Sequence, residues 1–289
     1  MSRLYESLKR AEMEQRSPGE LGQEPVHPAN FLKGLSIEPV ELEGTSTSSI
    51  YVAPGSRLVA VADPKGLSAE KFRALATRLE NLRNERDLKS LLVTSSVINE
   101  GKTLVTGNLA VTLAKQSGVR VLLVEGDLHR PALASLLGLT RLRGLTHWWS
   151  GHDDNIAPYI CKLEHLPLWF LSAGESYDHP SQILQSPRFA ETFARLAGSF
   201  DWIIVDSTPL LPTVDVNLWA RLVDGMLLVV RAGVTPVKAL KKGLATLDNP
   251  KLVGVVLNEA MDFDQTKYSD QYCIPIDAKN SSNGKKTKP

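Results

Sequence analysis

From Asp87 onward, short and uniformly apolar runs alternate with longer segments of mixed character. The runs cover Leu91 to Thr94, Val121 to Val124, Leu168 to Leu171, Trp202 to Val205, Met226 to Val230 and Leu252 to Leu257. Exposed antiparallel strands alternate apolar and polar positions. These runs do not, so they predict strands buried on both faces. Helical patterns fill the gaps near residues 103 to 116, 131 to 138, 181 to 197, 214 to 222 and 235 to 247. With right-handed crossovers, this rhythm builds an α/β fold: a mostly parallel central sheet with helices on both faces. A further helix is predicted upstream, from Ser68 through Phe72, Leu75, Leu79 and Leu82, docking its apolar face on the strands and helices downstream of it.

Outside this region the pattern changes. Residues 1–17 read as a short helix with Leu4, Leu8 and Ala11 near one stripe, and 18–56 as a flexible linker rich in Pro, Gly, Ser and Glu. Residues 57–262 read as the folded domain and 263–289 as a flexible, basic tail that bears tyrosines. The 289 residues are 43% hydrophobic and 22% charged, enough apolar material for a full core. A formal net charge of +1 gives no basic field of the kind that nucleic-acid partners call for. Cys161 and Cys273 lie far apart without metal-ligand spacing, which fits free thiols in a reducing compartment. The first residues lack the apolar stretch of a signal peptide, and no run approaches the about 18 apolar residues that span a bilayer. The expectation is a cytoplasmic chain with no membrane span of its own. His147, His152, His165 and His179 show no ligand spacing and are expected on the surface, whereas Trp148 and Trp149 are expected to be structural.

Candidate chemistry concentrates in "LLVTSSVINEGKTLVTGNLA", residues 91–110. A strand ending at Ser95 delivers a turn. Gly101, Lys102 and Thr103 then open a helix whose free N–H groups and positive dipole end face that turn and attract anions. Lys102 is the flexible cation that reaches β and γ phosphates, and Thr103 supplies a hydroxyl to ligate Mg²⁺. The P-loop pattern G-x-x-x-x-G-K-[ST] is met with Ser96 in place of its first glycine. Asn99 occupies a further position where related loops often carry glycine, and Asn is the non-glycine residue that best tolerates a left-handed backbone. The predicted cradle therefore includes Ser96, Asn99, Glu100, Gly101, Lys102, Thr103 and Leu104. "DWIIVDSTP" ends a strand on Asp206, placed to reach the metal's water shell from a neighbouring strand. "VLLVEGDLHRP" ends another on Glu125 and Asp127, two residues apart and so on one face of an extended chain. Two acids beside a nucleotide metal ligate, orient or accept a proton.

"TSSVINEGKT", "VLLVEGDLHRP", "FDWIIVDSTP" and "LVGVVLNEA" resemble, in order and spacing, the cytoplasmic ATPase domain of bacterial protein-tyrosine kinases (BY-kinases) that serve capsule and exopolysaccharide export. The match covers roughly residues 65 to 260, and "MSRLYESLKRAE" resembles the start of some stand-alone exopolysaccharide kinases. The resemblance implies a P-loop NTPase fold with ATP and Mg²⁺ as ligands. Lys102 would neutralise the β and γ phosphates, Thr103 would bind the metal directly, and Asp206 would hold it through water. Glu125 falls beside the metal, where the family usually has the Asp proposed to help deprotonate the tyrosine hydroxyl, and Asp127 matches the next acid. Asn258 would lie near the adenine, with Arg231 at the same end of the sheet. "AEKFRALATRL" resembles the E-x-x-R helix through which subunits pack, placing Glu70 and Arg73 at a homo-oligomer interface. A membrane polysaccharide co-polymerase is the implied partner, one that would hold the chain at the inner face of the plasma membrane.

Several residues depart from that family pattern. Glu125 is one methylene longer than Asp, His129 stands where Arg is usual, and Ala76 replaces the last Arg of the oligomer helix. Tyr268 and Tyr272, in "KYSDQYC", are the acceptor candidates near the C-terminus. The sequence thus reads as an ATP-dependent tyrosine autokinase that regulates polysaccharide synthesis or export. A switch ATPase of the partition or septum-site class is one rival, but the lysine that marks the start of its cradle is missing, with Val97 and its neighbours standing there. A non-catalytic ATP-binding adaptor of a polysaccharide export complex is the other, suggested by Glu125, His129 and the sparse tyrosines.

Overall fold

The computed structural model describes residues 38–53, 55–151, 154–211, 214–247 and 251–260. The helix expected over 1–17, the first half of the expected linker, and the tail with Tyr268, Tyr272 and Cys273 lie outside the described residues. One eight-stranded sheet contains β1 (Ser46–Ser48), β2 (Ser90–Ser95), β3 (Val121–Glu125), β4 (Ile160–Leu163), β5 (Leu168–Leu171), β6 (Trp202–Asp206), β7 (Gly225–Arg231) and β8 (Leu252–Asn258). Its spatial order is β1-β4-β5-β3-β6-β2-β7-β8, and every neighbouring pair is parallel except β4–β5.

The helices are α1 (Val59–Ala62), α2 (Leu67–Arg86), α3 (Lys102–Ser117), α4 (Leu133–Leu136), α5 (Leu145–Ser150), α6 (Pro180–Gln185), α7 (Pro187–Ser199), α8 (Asp215–Leu222) and α9 (Val237–Leu244). Because side chains alternate along a strand, each central strand feeds two cores. Leu92, Leu122, Val124, Ile203, Val205 and Leu228 join Phe189, Phe193, Val216 and Trp219 on one face. Leu91, Val93, Leu123, Ile204 and Val229 join Leu79, Leu109, Leu113 and Leu133 on the other. That double burial is why the strands read as unbroken apolar runs. It also fixes register, since a one-residue slip would exchange the two faces.

The structure departs from the sequence reading in several places. Residues 38–53, assigned to the flexible linker, hold β1, which pairs with β4, and Val40, whose N–H and C=O both bond the Ser199 hydroxyl (2.7 and 3.1 Å). The polar Ser-Thr-Ser of β1 carries no apolar period, yet it satisfies the open edge of β4. The helix expected over 181–197 breaks at Ser186. Pro187 cannot donate to a continuing ladder, and Ser186 Oγ accepts from Phe189 N to cap the new helix. The helix expected over 131–138 contracts to α4. His147, expected on the surface, is half-buried, its Nδ1 accepting from Gly144 N at 3.2 Å and its Nε2 lying 3.7 Å from the exposed Glu175 carboxylate. Trp148 is fully buried, with the Arg188 guanidinium 4.3 Å above its ring, in keeping with a structural role.

Candidate nucleotide site

β2 delivers the chain to a turn between Ser96 and Gly101, and α3 starts at Lys102. The turn needs two left-handed residues, Asn99 (φ 63°) and Gly101 (φ 91°). At Gly101 a Cβ would stand 2.1 Å from Asn258 Nδ2, so space as well as backbone requires glycine there. Glu100 is buried and braces the loop: Oε2 accepts from Val97 N at 2.8 Å, and Oε1 accepts from the Thr235 hydroxyl. Asn258 Nδ2 donates to the Glu100 carbonyl at 2.9 Å, while Thr235 Oγ1 accepts from Arg231 N at 3.1 Å. The cradle is thus held by the ends of β7 and β8. The leading N–H groups of α3 have no acceptor within the helix and face this turn. Replacing Gly101 by Ala should weaken nucleotide binding at least about tenfold while the sheet stays folded, because the left-handed backbone and the Asn258 contact both oppose it. Calorimetric titration with nucleotide beside a circular-dichroism melt checks this.

The acids converge because β6 lies between β2 and β3, which pairs Asp206 with Val93 on one side and Glu125 on the other. Thr103 Oγ1 donates to Asp206 Oδ2 at 2.7 Å, and Thr106 Oγ1 to Oδ1 at 3.3 Å. Lys102 Nζ lies 3.0 Å from Asp127 Oδ2 and 4.0 Å from Asp206 Oδ1. Burial pushes the Asp206 carboxyl up from 3.8 to about 6. Lys102 and the Thr103 hydrogen bond oppose that rise, and Asp127 and Glu125 add to it. Gly126 lets β3 approach closely: a Cβ there would meet the Asp206 carbonyl at 2.7 Å and the Trp219 ring at 2.9 Å.

Of the residues singled out from sequence, Ser96, Asn99, Glu100, Gly101, Lys102, Thr103, Asp127, Asp206 and Asn258 gather at this end of the sheet. The Ser96 hydroxyl is buried without a hydrogen-bond partner among the described residues, and the Leu104 carbonyl accepts from Asn108 Nδ2 within α3. Arg231 pairs with Glu259, which Arg57 also approaches at 3.7 Å. Glu125, expected beside the metal, instead gives its carboxylate to four donors of its own chain: Leu133 N, Ala134 N, Ser172 Oγ and Ala173 N. On α2, Glu70 pairs with Arg73 on the exposed face, while Ala76 is fully buried where no Arg would fit without opening the core. His129 Nε2 sits 2.8 Å from Asp215 Oδ2. Sequence reasoning missed Thr106, Thr235, Ser172 and Asp215. Thr106 alone left a trace, one helical turn beyond Thr103.

The donor set fits a phosphate chain with a cation: a helix N-terminus, a lysine, a hydroxyl paired with a buried carboxylate, and a left-handed glycine whose missing Cβ lets Asn258 pack on the loop. Fold and cradle together define a P-loop nucleotide-binding protein. Over 201 residues the chain is 32% identical to CapB of Staphylococcus aureus, covering 68% of this chain and 86% of the relative. It is 31% identical to tyrosine-protein kinase YwqD of Bacillus subtilis (strain 168), covering 71% and 88%. The chain belongs to this family of bacterial tyrosine-protein kinases. It also matches the succinoglycan biosynthesis transport protein ExoP of Rhizobium meliloti (strain 1021) at 31% identity, over 74% of this chain and only 28% of that larger protein. Among solved structures, the BceF tyrosine kinase domain superposes with a TM-score of 0.64 at 26% identity, covering 80% of this chain and 96% of that one. No family model matches. Among the described residues, no helix is long and apolar enough to cross a membrane.

Proposed function

We propose that this protein transfers the γ-phosphoryl group of ATP, with Mg²⁺, to tyrosine on its own chain or a second copy, and so regulates capsular or extracellular polysaccharide synthesis or export. One observation carries the reading: Lys102, Thr103, Asp127 and Asp206 form a single bonded cluster at the mouth of the cradle. Lys102 neutralises phosphate charge, and the Thr103 hydroxyl with the Asp206 carboxylate would hold the cation, which supplies further charge neutralisation when bound. Such a site works by positioning and electrostatics, without a covalent enzyme intermediate. Tyr268 and Tyr272 are the proposed acceptors. Glu70 and Arg73 form the proposed contact between copies, and a membrane polysaccharide co-polymerase is the proposed partner at the inner face of the plasma membrane. Residues 57–262 are the proposed kinase domain.

The test is to incubate purified protein with γ-labelled ATP and Mg²⁺ and follow where the label goes. Label in acid-stable phosphotyrosine supports the kinase reading. Label released only as free phosphate would favour the switch-ATPase reading, and no turnover with intact binding the adaptor.

A further inference from the structure

The geometry points to Glu125 as a positioning residue that clamps the catalytic loop, and to Asp127 as the carboxylate that accepts the tyrosine proton; this deepens, and rests on, the tyrosine-kinase reading above. Glu125 is 1% exposed, and both of its oxygens are committed. Oε1 accepts from Leu133 N at 2.7 Å and Ala134 N at 3.0 Å, and Oε2 accepts from Ser172 Oγ and Ala173 N, each at 3.1 Å. An ionised carboxylate offers about four lone-pair sites, so these four donors fill it. No acceptor capacity is left for a substrate hydroxyl or a metal-bound water.

The anchors lie on separate elements. Leu133 and Ala134 open α4 at the far end of the segment that starts from Glu125 itself, and Ser172 and Ala173 follow β5. Glu125 therefore closes residues 126–132 into a loop and ties that loop to the next strand. Its near end is fixed as well, since Gly126 N donates to the Asp206 carbonyl at 2.8 Å and Gly126 O accepts from Trp219 Nε1 at 3.2 Å. Asp127 rides on this loop. Its Oδ1 accepts from Arg130 N and its Oδ2 from Lys102 Nζ, both at 3.0 Å, which leaves acceptor sites open. Because Lys102 is the cation aimed at the transferred group, Asp127 is the acid beside it. As the phenolic oxygen bonds to the γ-phosphorus, its O–H proton passes to Asp127, and the bond from that phosphorus to the bridging oxygen breaks with its electron pair leaving on ADP.

The extra methylene of Glu125 then has a reason: an aspartate is too short to reach α4 and the exit of β5 together. Clamp and proton acceptor predict opposite orders for two variants. Glu125→Gln keeps the length and loses only the bond to Ala173 N, because its amide can still accept from α4 and donate to Ser172 Oγ. Glu125→Asp keeps the charge and loses one whole side. With full-length protein and saturating MgATP, tyrosine phosphorylation should rank wild type, then Glu125→Gln within about tenfold, then Glu125→Asp, with the KM for ATP little changed because the cradle is untouched. Asp127→Asn should lose about 10²- to 10⁴-fold. Amide hydrogen exchange, measured without nucleotide, should speed up at Leu133, Ala134 or Ala173 in both Glu125 variants, more in Glu125→Asp, and stay unchanged at those amides in Asp127→Asn.

A Glu125→Asp variant as active as wild type beside a dead Glu125→Gln would overturn the clamp. So would unchanged exchange in both Glu125 variants, and an active Asp127→Asn would remove the proton acceptor. A wild-type chain that forms no phosphotyrosine would sink the kinase reading instead, and the exchange data would still decide the clamp.

Discussion

Replacing Lys102 by Met should reduce tyrosine phosphorylation by about 10²- to 10³-fold or more, the scale on which preorganised charge at a reacting group is lost. The backbone N–H groups of the cradle cannot by themselves balance a triphosphate, so nucleotide binding should weaken too. The ion pairs add a second effect. Lys102 lies between Asp127, 4% exposed, and Asp206, 0% exposed, and it is the main influence that lowers the Asp206 pKa. Without the lysine, Asp206 holds its proton to still higher pH, and ionising it costs more. The variant should therefore melt below wild type without nucleotide, by a margin that widens as pH rises through about 6. Thermal melts at pH 5 and pH 8, with and without MgATP, check both effects. A variant with wild-type phosphorylation would remove the cradle reading.

Asp206→Asn should do the opposite to stability while abolishing turnover. The Asp206 pKa is raised in the fold from 3.8 to about 6, so the folded state holds this proton better than the unfolded chain does. The stability that goes with the proton is fully present below about 3.8 and is lost as pH climbs through about 6. At pH 8 the buried charge costs on the order of 2–3 kcal/mol, at about 1.36 kcal/mol per unit. Asparagine keeps an acceptor for Thr103 or Thr106 and carries no charge to bury. The nucleotide-free variant should melt about 4–10 °C above wild type at pH 8, with the gap closing toward pH 4. Its melt should respond less to MgATP than wild type's, since the carboxylate that holds the cation is gone. A variant less stable than wild type at pH 8 would show that the Asp206 charge is better compensated than burial implies.

The parallel core was legible because strands buried on both faces cannot hide: Leu91 to Val93, Leu122 to Val124 and Ile203 to Val205 leave no polar position to confuse the period. β1 was not legible, because Ser46–Ser48 contributes backbone bonds rather than apolar burial. β4 was missed because exposed Lys162 interrupts a four-residue strand. At the site, Lys102, Thr103 and Asp206 could be read from local motifs, since each stands where a strand gives way to its helix or loop. The contacts that hold them in place could not. Glu125 meets Ser172 and Ala173 at 47 and 48 residues' separation, and Thr235 reaches Glu100 across 135. No spacing rule spans such distances, and only the strand order brings those loops together. Glu125 shows how this misleads: its place at a strand end reads as an acid for the metal, yet its carboxylate is taken up by Leu133, Ala134, Ser172 and Ala173.

Tyrosine phosphorylation at this site is tested most directly by tandem mass-spectrometric mapping of the full-length protein after incubation with MgATP, with the Lys102→Met chain treated identically. Phosphotyrosine at Tyr268 or Tyr272 of the wild-type chain, and none on the variant, is the predicted result. Absence of phosphotyrosine from a wild-type chain that binds and retains ATP would contradict it.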